Sequence, residues 1–432
     1  MEYLHSPAFW IAVCFAVGYL LIVFEHGLNI SKTTTALLMA VGCWAIQFAD
    51  SSLSHAEHQK ILTDHLGKAS EIILFLLGAL AIVELISSHN GFWLITKNIS
   101  ARSKLSLLWM MGIITFFVSA VLDNLTTTVV MVTLLRKMLD PGEERALMGG
   151  AIVIAANAGG AWTVIGDVTT TMLWIGGQIT PLKVMIALFI PSVVCFGVAL
   201  ACLSYQMGKG GLVSNLTLSE NEKSNQMEPY GTLIFVVGVG CLIFVPFFKM
   251  LTGLPPLMGM LLGLGLLWLI TDIVHHPDQQ RPNLRVPAVL SRIDLAAVLF
   301  FLGILLAIDA LEEAGVLQGF ASWVDRTVPS HAWTPIVIGL ASAVVDNVPL
   351  VAASMKMYDL QSIPAGSYFW HQIAYAAGTG GSILIIGSAA GVVFMGLEQV
   401  GFFWWVRRLA LPALIGFLAG YGIYLLLIPL TG

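Results

Sequence analysis

Apolar positions in this chain fall in long unbroken runs, not in the alternation of a half-buried strand or the one-sided stripe of a surface helix. Runs at 7–24, 30–48, 70–88, 182–206, 230–250, 256–274, 293–311 and 409–430 each approach the ~20 residues that a hydrocarbon core about 30 Å thick asks of a helix. Four further apolar stretches, 105–139, 146–178, 332–357 and 367–405, are interrupted by polar or glycine-rich segments. The pattern predicts an all-α polytopic membrane protein with some helices broken inside the membrane.

Composition sharpens the picture. Of 432 residues, 57% are apolar and 10% charged, against about 25% charged in soluble proteins. That excludes an ordinary cytosolic enzyme and a disordered chain. A formal net charge of −5 leaves no basic footprint for nucleic acid. Cys14, Cys43, Cys195, Cys202 and Cys241 lie in apolar runs without CxxC spacing and are expected as buried thiols.

Loop charges set the orientation. Met1 to Ser6 carries no positive charge and no small-residue cleavage site follows, so the first run is expected to stay as an anchor with its amino end outside. The 49–69 loop is mixed in charge, whereas 89–104 holds Lys97, Arg102 and Lys104 without an acid. Positive loops favour the cytoplasm, so 70–88 runs inward. The 275–292 loop (Arg281, Arg285, Arg292) is cytoplasmic by the same rule, and 293–311 runs outward to Glu312 and Glu313.

The chain repeats itself. LLGALAIVEL (76–85) aligns with FLGILLAIDA (301–310), setting Glu84 against Asp309, 225 residues on. SAVLDNLTT (119–127) aligns with SAVVDNVPL (342–350), setting Asp123-Asn124 on Asp346-Asn347. GGAWTVIGD (159–167) aligns with GGSILIIGS (380–388). Opposite directions for 70–88 and 293–311 imply inverted repeats, an architecture of secondary transporters. The expected organisation is N-terminal scaffold helices over 1–69 and a first inverted repeat over 70–207 (hairpin 105–139, broken helix 146–178). A cytoplasmic linker over 208–229 and scaffold helices over 230–292 follow, then a second repeat over 293–432 (hairpin 332–357, broken helix 367–405).

The interruptions carry the chemistry. Segment 105–139 is too long for one straight span and has basic residues at both ends, so it reads as a re-entrant hairpin with Asp123-Asn124 at its tip. Its copy dips from the other side with Asp346-Asn347, beside Ser342. Such irregular backbone survives at membrane depth only where it is buried in protein or lines a cavity. The break in 146–178 offers Asn157, Thr163, Asp167, Thr169 and Thr170; its partner offers Ser382 and Ser388 but no acid. Carboxylates with neutral oxygens suit a small hard cation, and no basic residue lies within these motifs. An intramembrane carboxylate costs ~2.5–3.5 kcal/mol or more, which argues against idle acids. The plainer alternative is that Asp123, Asp346 and Asp167 merely cap backbone amides. Glu84, Asp309, His89 and His371 sit near span ends, where proton coupling or pH response competes with simple interfacial placement. His55, His58 and His65 are expected in a solvated loop, not as metal ligands. Segments 91–104 and 315–330 read as interfacial arms.

SAVLDNLTTTVVM (119–131), NAGGAWTVIGDVTTTMLW (157–174) and SAVVDNVPL (342–350) resemble the signature stretches of NhaD-type sodium/proton antiporters within the ion transporter superfamily. The resemblance covers most of 70–430. It implies a homodimer in which a scaffold domain holds a mobile transport domain moving in elevator fashion. It also implies exchange of Na⁺ or Li⁺ for H⁺ in a bacterial inner membrane, with no cofactor. By motif match the site would comprise Asp123, Asn124, Asn157, Thr163, Asp167, Thr169, Thr170, Ser342, Asp346, Asn347 and Ser382, with Na⁺ held at Asp123, Asn124, Asp346 and Asn347. Dicarboxylate carriers of the superfamily have a neutral hairpin tip; the acidic tip here argues for a cation. An arsenite-like oxyanion carrier is the first rival, and an intramembrane aspartyl hydrolase a remote one.

Overall fold

A backbone crossing hydrocarbon must satisfy its own N–H and C=O groups, and a helix does so within one segment. The computed structural model describes all residues except 1–5, 24, 26–29, 51–52, 97–102, 208–226, 276–283, 328–333, 344–345 and 432. Its regular structure is helical, with no β-strand among the described residues. The first half contains α1 (Pro7–Val23), α2 (Lys32–Phe48), α3 (His55–Ser88), α4 (Trp93–Thr96), α5 (Lys104–Ser119), α6 (Asn124–Met138), α7 (Glu143–Gly160), α8 (Val168–Ile175) and α9 (Pro181–Met207). The second contains α10 (Gly231–Thr252), α11 (Pro256–His275), α12 (Val286–Leu290), α13 (Leu295–Glu313), α14 (Val316–Thr327), α15 (Thr334–Ala341), α16 (Asn347–Met357) and α17 (Tyr368–Gly380). A 3-10 turn (Ile385–Gly387), α18 (Ala389–Glu398), α19 (Phe402–Arg408) and α20 (Ala410–Thr431) complete it.

Among the described residues, α3, α9, α10, α11, α13 and α20 are long and apolar enough to cross a bilayer, and α18 with α19 forms one more apolar pair bent by 108°. The chain is an integral membrane protein. Helices α1 and α2, 17 residues each, fall just short of that length. All four interrupted stretches fold as helix–break–helix: α5/α6, α7/α8, α15/α16 and α17/α18.

One expectation is corrected outright. Segment 49–69 is not a loop: α3 starts at His55 and runs 34 residues. The start is a capping box, in which Ser54 N donates to Glu57 Oε2 at 2.8 Å while Ser54 Oγ accepts from Glu57 N. His58 and His65 are therefore buried, against Phe48 and Trp44 respectively. Most of the 208–229 linker, Lys97, Arg102 and Arg281, and parts of both expected interfacial arms lie outside the described residues. On the second arm, α14 presents stacked, exposed Phe320 and Trp323.

Packing around the breaks recurs at the repeat-equivalent positions. Ser119 Oγ donates to Ala156 O at 2.6 Å, and Ser342 Oγ to Ala377 O at 2.8 Å. Gly159 lies against the Phe116 carbonyl and Gly380 against that of Gly339. A Cβ on either glycine would strike that oxygen, so only glycine lets these helices approach so closely. Outside this region, α2 is tied to α13 at both ends: Thr33 Oγ1 donates to Ala296 O and Trp44 Nε1 to Leu306 O, each at 2.9 Å.

Candidate functional site

Four helix N-termini converge on one buried cluster, and each begins where the sequence supplies a short polar side chain. Asp123 caps α6, Asp167 caps α8, Asp346 caps α16 and Ser388 caps α18. The caps follow from residue type, since Asp and Ser accept from the free amides of a first turn. Asp123 Oδ1 accepts from Thr126 N at 2.8 Å and Oδ2 from Thr126 Oγ1 at 2.6 Å. Asp346 Oδ1 accepts from Val348 N at 3.4 Å.

Asp167 is the hub. Its Oδ1 accepts from Thr169 N and Thr169 Oγ1, each at 2.9 Å. Its Oδ2 accepts from Asn124 Nδ2 at 2.8 Å and, more loosely, from Asn347 Nδ2 at 3.5 Å. The carboxylate thus links the asparagines of both helix–break–helix units. Asn124 Nδ2 also donates to Asn157 Oδ1 at 2.9 Å. Asn157 Nδ2 in turn donates to Ser382 Oγ at 2.8 Å and Ser388 Oγ at 2.9 Å. Asn157 is fully buried and Asp167 only 2% exposed. A buried carboxylate survives where donors surround it.

Other expected residues hold the frame. Thr163 Oγ1 donates to Ala120 O at 2.6 Å, Thr170 Oγ1 to Asp167 O at 2.9 Å, and Ser342 Oγ to Ala377 O. Their hydroxyl protons are committed to backbone, which pins each break to its neighbour.

A cavity opens on this cluster. Asp123, Asn124, Asp167, Asp346 and Asn347 line it on one side, with Leu76, Leu80 and Val83 of α3, and Asp294, Ala297 and Phe301 at the start of α13, on the other. The three carboxylates and the two tip asparagines therefore share one space, which can take an ion with hard oxygen ligands. Sequence reasoning missed three contributors. Asp294 caps α13 at the cavity wall, with Oδ1 accepting from Ala297 N at 3.0 Å. Tyr19 faces Asp346. Lys32 acts electrostatically on Asp346, its ammonium lying 4.7 Å from the Phe300 ring centroid. The motifs themselves contain no base; Lys32 belongs to α2, outside them. Ser388 was legible as the repeat equivalent of Asp167.

Glu84, Asp309, His89 and His371 do not line the cavity. Glu84 is partly buried and accepts from Ser88 Oγ at 3.3 Å. Asp309 is buried, between Lys356 and His65. His89 is also buried; its Nδ1 donates to Leu85 O at 2.8 Å, which leaves Nε2 as the acceptor from His275 Nε2 at 2.9 Å. His371 is buried in the first turn of α17.

Residues 19–370 match a family model described as citrate transporter. The chain is 50% identical over 427 residues to "Sodium/proton antiporter 1" of Arabidopsis thaliana, covering 96% of this chain and 71% of that protein. It is 48% identical over 414 residues to "Sodium/proton antiporter 2" of the same plant, covering 96% and 98%. It is 29% identical over 430 residues to "Na(+)/H(+) antiporter NhaD" of Vibrio cholerae, covering 92% and 87%. The chain belongs to the transporter family that this model describes, in the company of the NhaD-type sodium/proton antiporters.

Proposed function

We propose that this protein is a secondary active transporter exchanging Na⁺ for H⁺ across its membrane, with Li⁺ as a second accepted cation. The observation that carries the reading is the placement of three carboxylates, Asp123, Asp167 and Asp346, around one cavity, with Asp167 bonded by the asparagines of both units. The names of the plant and bacterial relatives support it. They are named as antiporters and not as enzymes, and we read this chain the same way.

The acids also separate a cation from an anion. Helix N-termini bind carboxylate and phosphate groups well, and four of them meet here. The chain fills three of the four with its own aspartates, so the site is already anionic before any substrate arrives. A dicarboxylate or oxyanion carrier would leave those N-termini open to its substrate. Cation and protons then compete for the same carboxylates. Each bound proton or monovalent cation removes one of these charges, so the loaded cluster carries less charge past the membrane barrier than the empty one. Empty, it carries several charges, each costing ~2.5–3.5 kcal/mol or more in hydrocarbon. That penalty enforces exchange instead of leak, and the carboxylates titrate as a group.

Alternating access in this reading is an elevator movement of the two inverted repeats' breaks (105–178 and 332–405) against a scaffold that includes α3 and α13. The recurrence of the Ser119 and Ser342 bonds at repeat-equivalent positions supports the repeat. We further propose a homodimer seated in lipid. We place it in a bacterial plasma membrane, as the 28–29% identical NhaD-named relatives are bacterial, while those at 48–50% identity are plant proteins; a tagged chain found in an organelle membrane would replace that assignment.

The test is dissipation of a respiration-driven ΔpH in everted vesicles on addition of Na⁺, Li⁺ or K⁺. Na⁺ and Li⁺ should dissipate it in the parent and not in Asp123→Asn. Because Asn caps a helix as well as Asp, this variant removes the charge and keeps the cap. No response of the parent to any cation between pH 6 and 9 would defeat the antiporter reading. Full activity of Asp123→Asn would reduce Asp123 to a cap.

A further inference from the structure

The cavity is lined by the middle of the apolar 70–88 run (Leu76, Leu80, Val83) and reaches the exposed N-terminal end of α13 (Asp294, Ala297). A basic loop precedes α13, so by loop charge this is its cytoplasmic end. The outer end of α13 holds a different structure. Lys356 Nζ lies 2.9 Å from Asp309 Oδ1 and 2.6 Å from Glu312 Oε2. His65 Nδ1 lies 3.2 Å from Asp309 Oδ1, and its Nε2 3.6 Å from Glu313 Oε2. The Asp309 side chain is 7% exposed, Lys356 21% and Glu312 28%, so these pairs are less screened than surface ones.

Lys356 stands in the last turn of α16, whose first residue is the site asparagine Asn347. At 1.5 Å per residue the two are about 14 Å apart along one rigid helix. Movement of the tip past α13 therefore has to carry Lys356 off its acids. The repeat shows what would replace it. Glu84 is the equivalent of Asp309, and Thr133 stands 223 residues before Lys356, the offset that relates Asp123 to Asp346. Helix α16 packs along α13, while α6 has no comparable packing on α3 among the described residues. In the inverted arrangement α6 would lie along α3 and offer Glu84 an uncharged threonine.

We propose that Lys356 with Asp309 and Glu312 is a one-sided ionic lock that holds the carrier open to the cytoplasm, with no equivalent for the outward-open arrangement. His65 steadies the Asp309 carboxylate from α3, and Glu313 faces the same imidazole. The lock rests on the alternating-access reading above, and it assigns Asp309 a role in the resting state of the carrier and not in ion binding.

The experiment places Ala297→Cys at the cavity wall of the full chain in inside-out vesicles. Labelling by a membrane-impermeant maleimide is followed after subtraction of the rate on the parent's own cysteines. Lys356→Gln should slow labelling about tenfold, as expected for loss of a partly buried charge pair. Asp309→Asn should slow it similarly, the double variant no further, and Lys356→Arg should label at the parental rate. Unchanged labelling in Lys356→Gln, or equal slowing in Lys356→Arg, overturns the lock. Should Lys356→Gln fail to accumulate in the membrane, Asp309→Asn against the parent decides by the same criterion. Labelling requires no ion gradient. Slowing in vesicles that show no Na⁺-driven ΔpH change would leave the lock standing and defeat the antiporter reading; active exchange with unchanged labelling would do the reverse.

Discussion

Asp167→Asn is the substitution on which the site reasoning is most exposed. The carboxylate has two sides: Oδ1 takes the backbone N–H and hydroxyl of Thr169, and Oδ2 takes the Asn124 amide at 2.8 Å. An asparagine can satisfy one side only. Turned to keep the Thr169 cap, its NH₂ meets the NH₂ of Asn124; turned the other way, it meets the Thr169 N–H. Either way a buried donor loses its acceptor, at a cost of ~1–3 kcal/mol. The charge is a separate matter. A carboxylate about 2.4 Å from a monovalent cation contributes about 7 kcal/mol at an effective dielectric constant near 20, before dehydration of both partners. If dehydration cancels two-thirds of that, about 2 kcal/mol remains, or about 30-fold in affinity. The half-maximal Na⁺ concentration for ΔpH dissipation in everted vesicles should therefore rise at least about 30-fold. Thermal unfolding of the purified protein should show the stability loss in parallel. A half-maximal Na⁺ concentration within threefold of the parent would refute the placement of the cation at Asp167, whatever the stability result.

Three further outcomes follow from other contacts. Gly159→Ala and Gly380→Ala each drive a methyl into a facing carbonyl, of Phe116 and Gly339 respectively, and should each cost about 1–3 kcal/mol; unchanged melting would refute the close approach. Burial pushes the His89 imidazole below its ordinary value, with the neighbouring His275 acting in the same direction. Above pH ~6.5 folded and unfolded states are both neutral there. As pH falls the unfolded chain takes up a proton that the buried pair refuses, so stability drops until the depressed native value is passed. The parent should lose more melting temperature between pH 7.5 and 5.5 than His89→Gln does, and equal slopes would refute this. Lys32→Gln removes a positive charge acting on Asp346 and should lower the half-maximal Na⁺ concentration; an increase would mean that Lys32 organises the site instead of opposing the ion.

What was legible in the sequence followed from local chemistry. Hydropathy alone located the long helices, because membrane spans need about 20 apolar residues in succession. The breaks were legible because Asp-Asn, Gly-Gly and Ser motifs recur in fixed order. The pairing of Asn157 with Ser382 was not, since the two are 225 residues apart and only the folded chain brings them within 2.8 Å. The start of α3 was misread because its first turns are polar, although Ser54 and Glu57 already spelled a capping box. Lys32, Tyr19 and Asp294 were invisible for a different reason. They belong to elements outside the repeated motifs and reach the site only through the packing of α1, α2 and α13 around it. The same holds for Lys356; Asp309 was legible as the repeat partner of Glu84, but its pairing with Lys356 needs the folded chain.

The double role of the aspartates explains how one architecture serves opposite substrates. An amide-rich helix start carries about half a positive charge, so four such starts around one cavity make an anion site by default. The matched family model is described as a citrate transporter, which is what that default would serve. In this chain Asp123, Asp167 and Asp346 occupy three of the starts. Each neutralises its own helix end and still faces the cavity. The capping role and the ion-binding role are therefore not alternatives. A cap fixes the position and rotamer of the carboxylate, and a carboxylate held in place before the ion arrives loses little entropy when the ion binds. Ser388, at the fourth start, caps without a charge, which leaves three acids in the cluster itself, with Asp294 standing exposed at the cavity wall. A fourth acid there would bring a further buried charge with no counter-ion of its own, since Lys32 alone among the described basic groups acts on the cluster through Asp346. The asymmetry between Asp167 and Ser388 thus sets the charge that must be neutralised before the site can cross, and with it the condition for exchange.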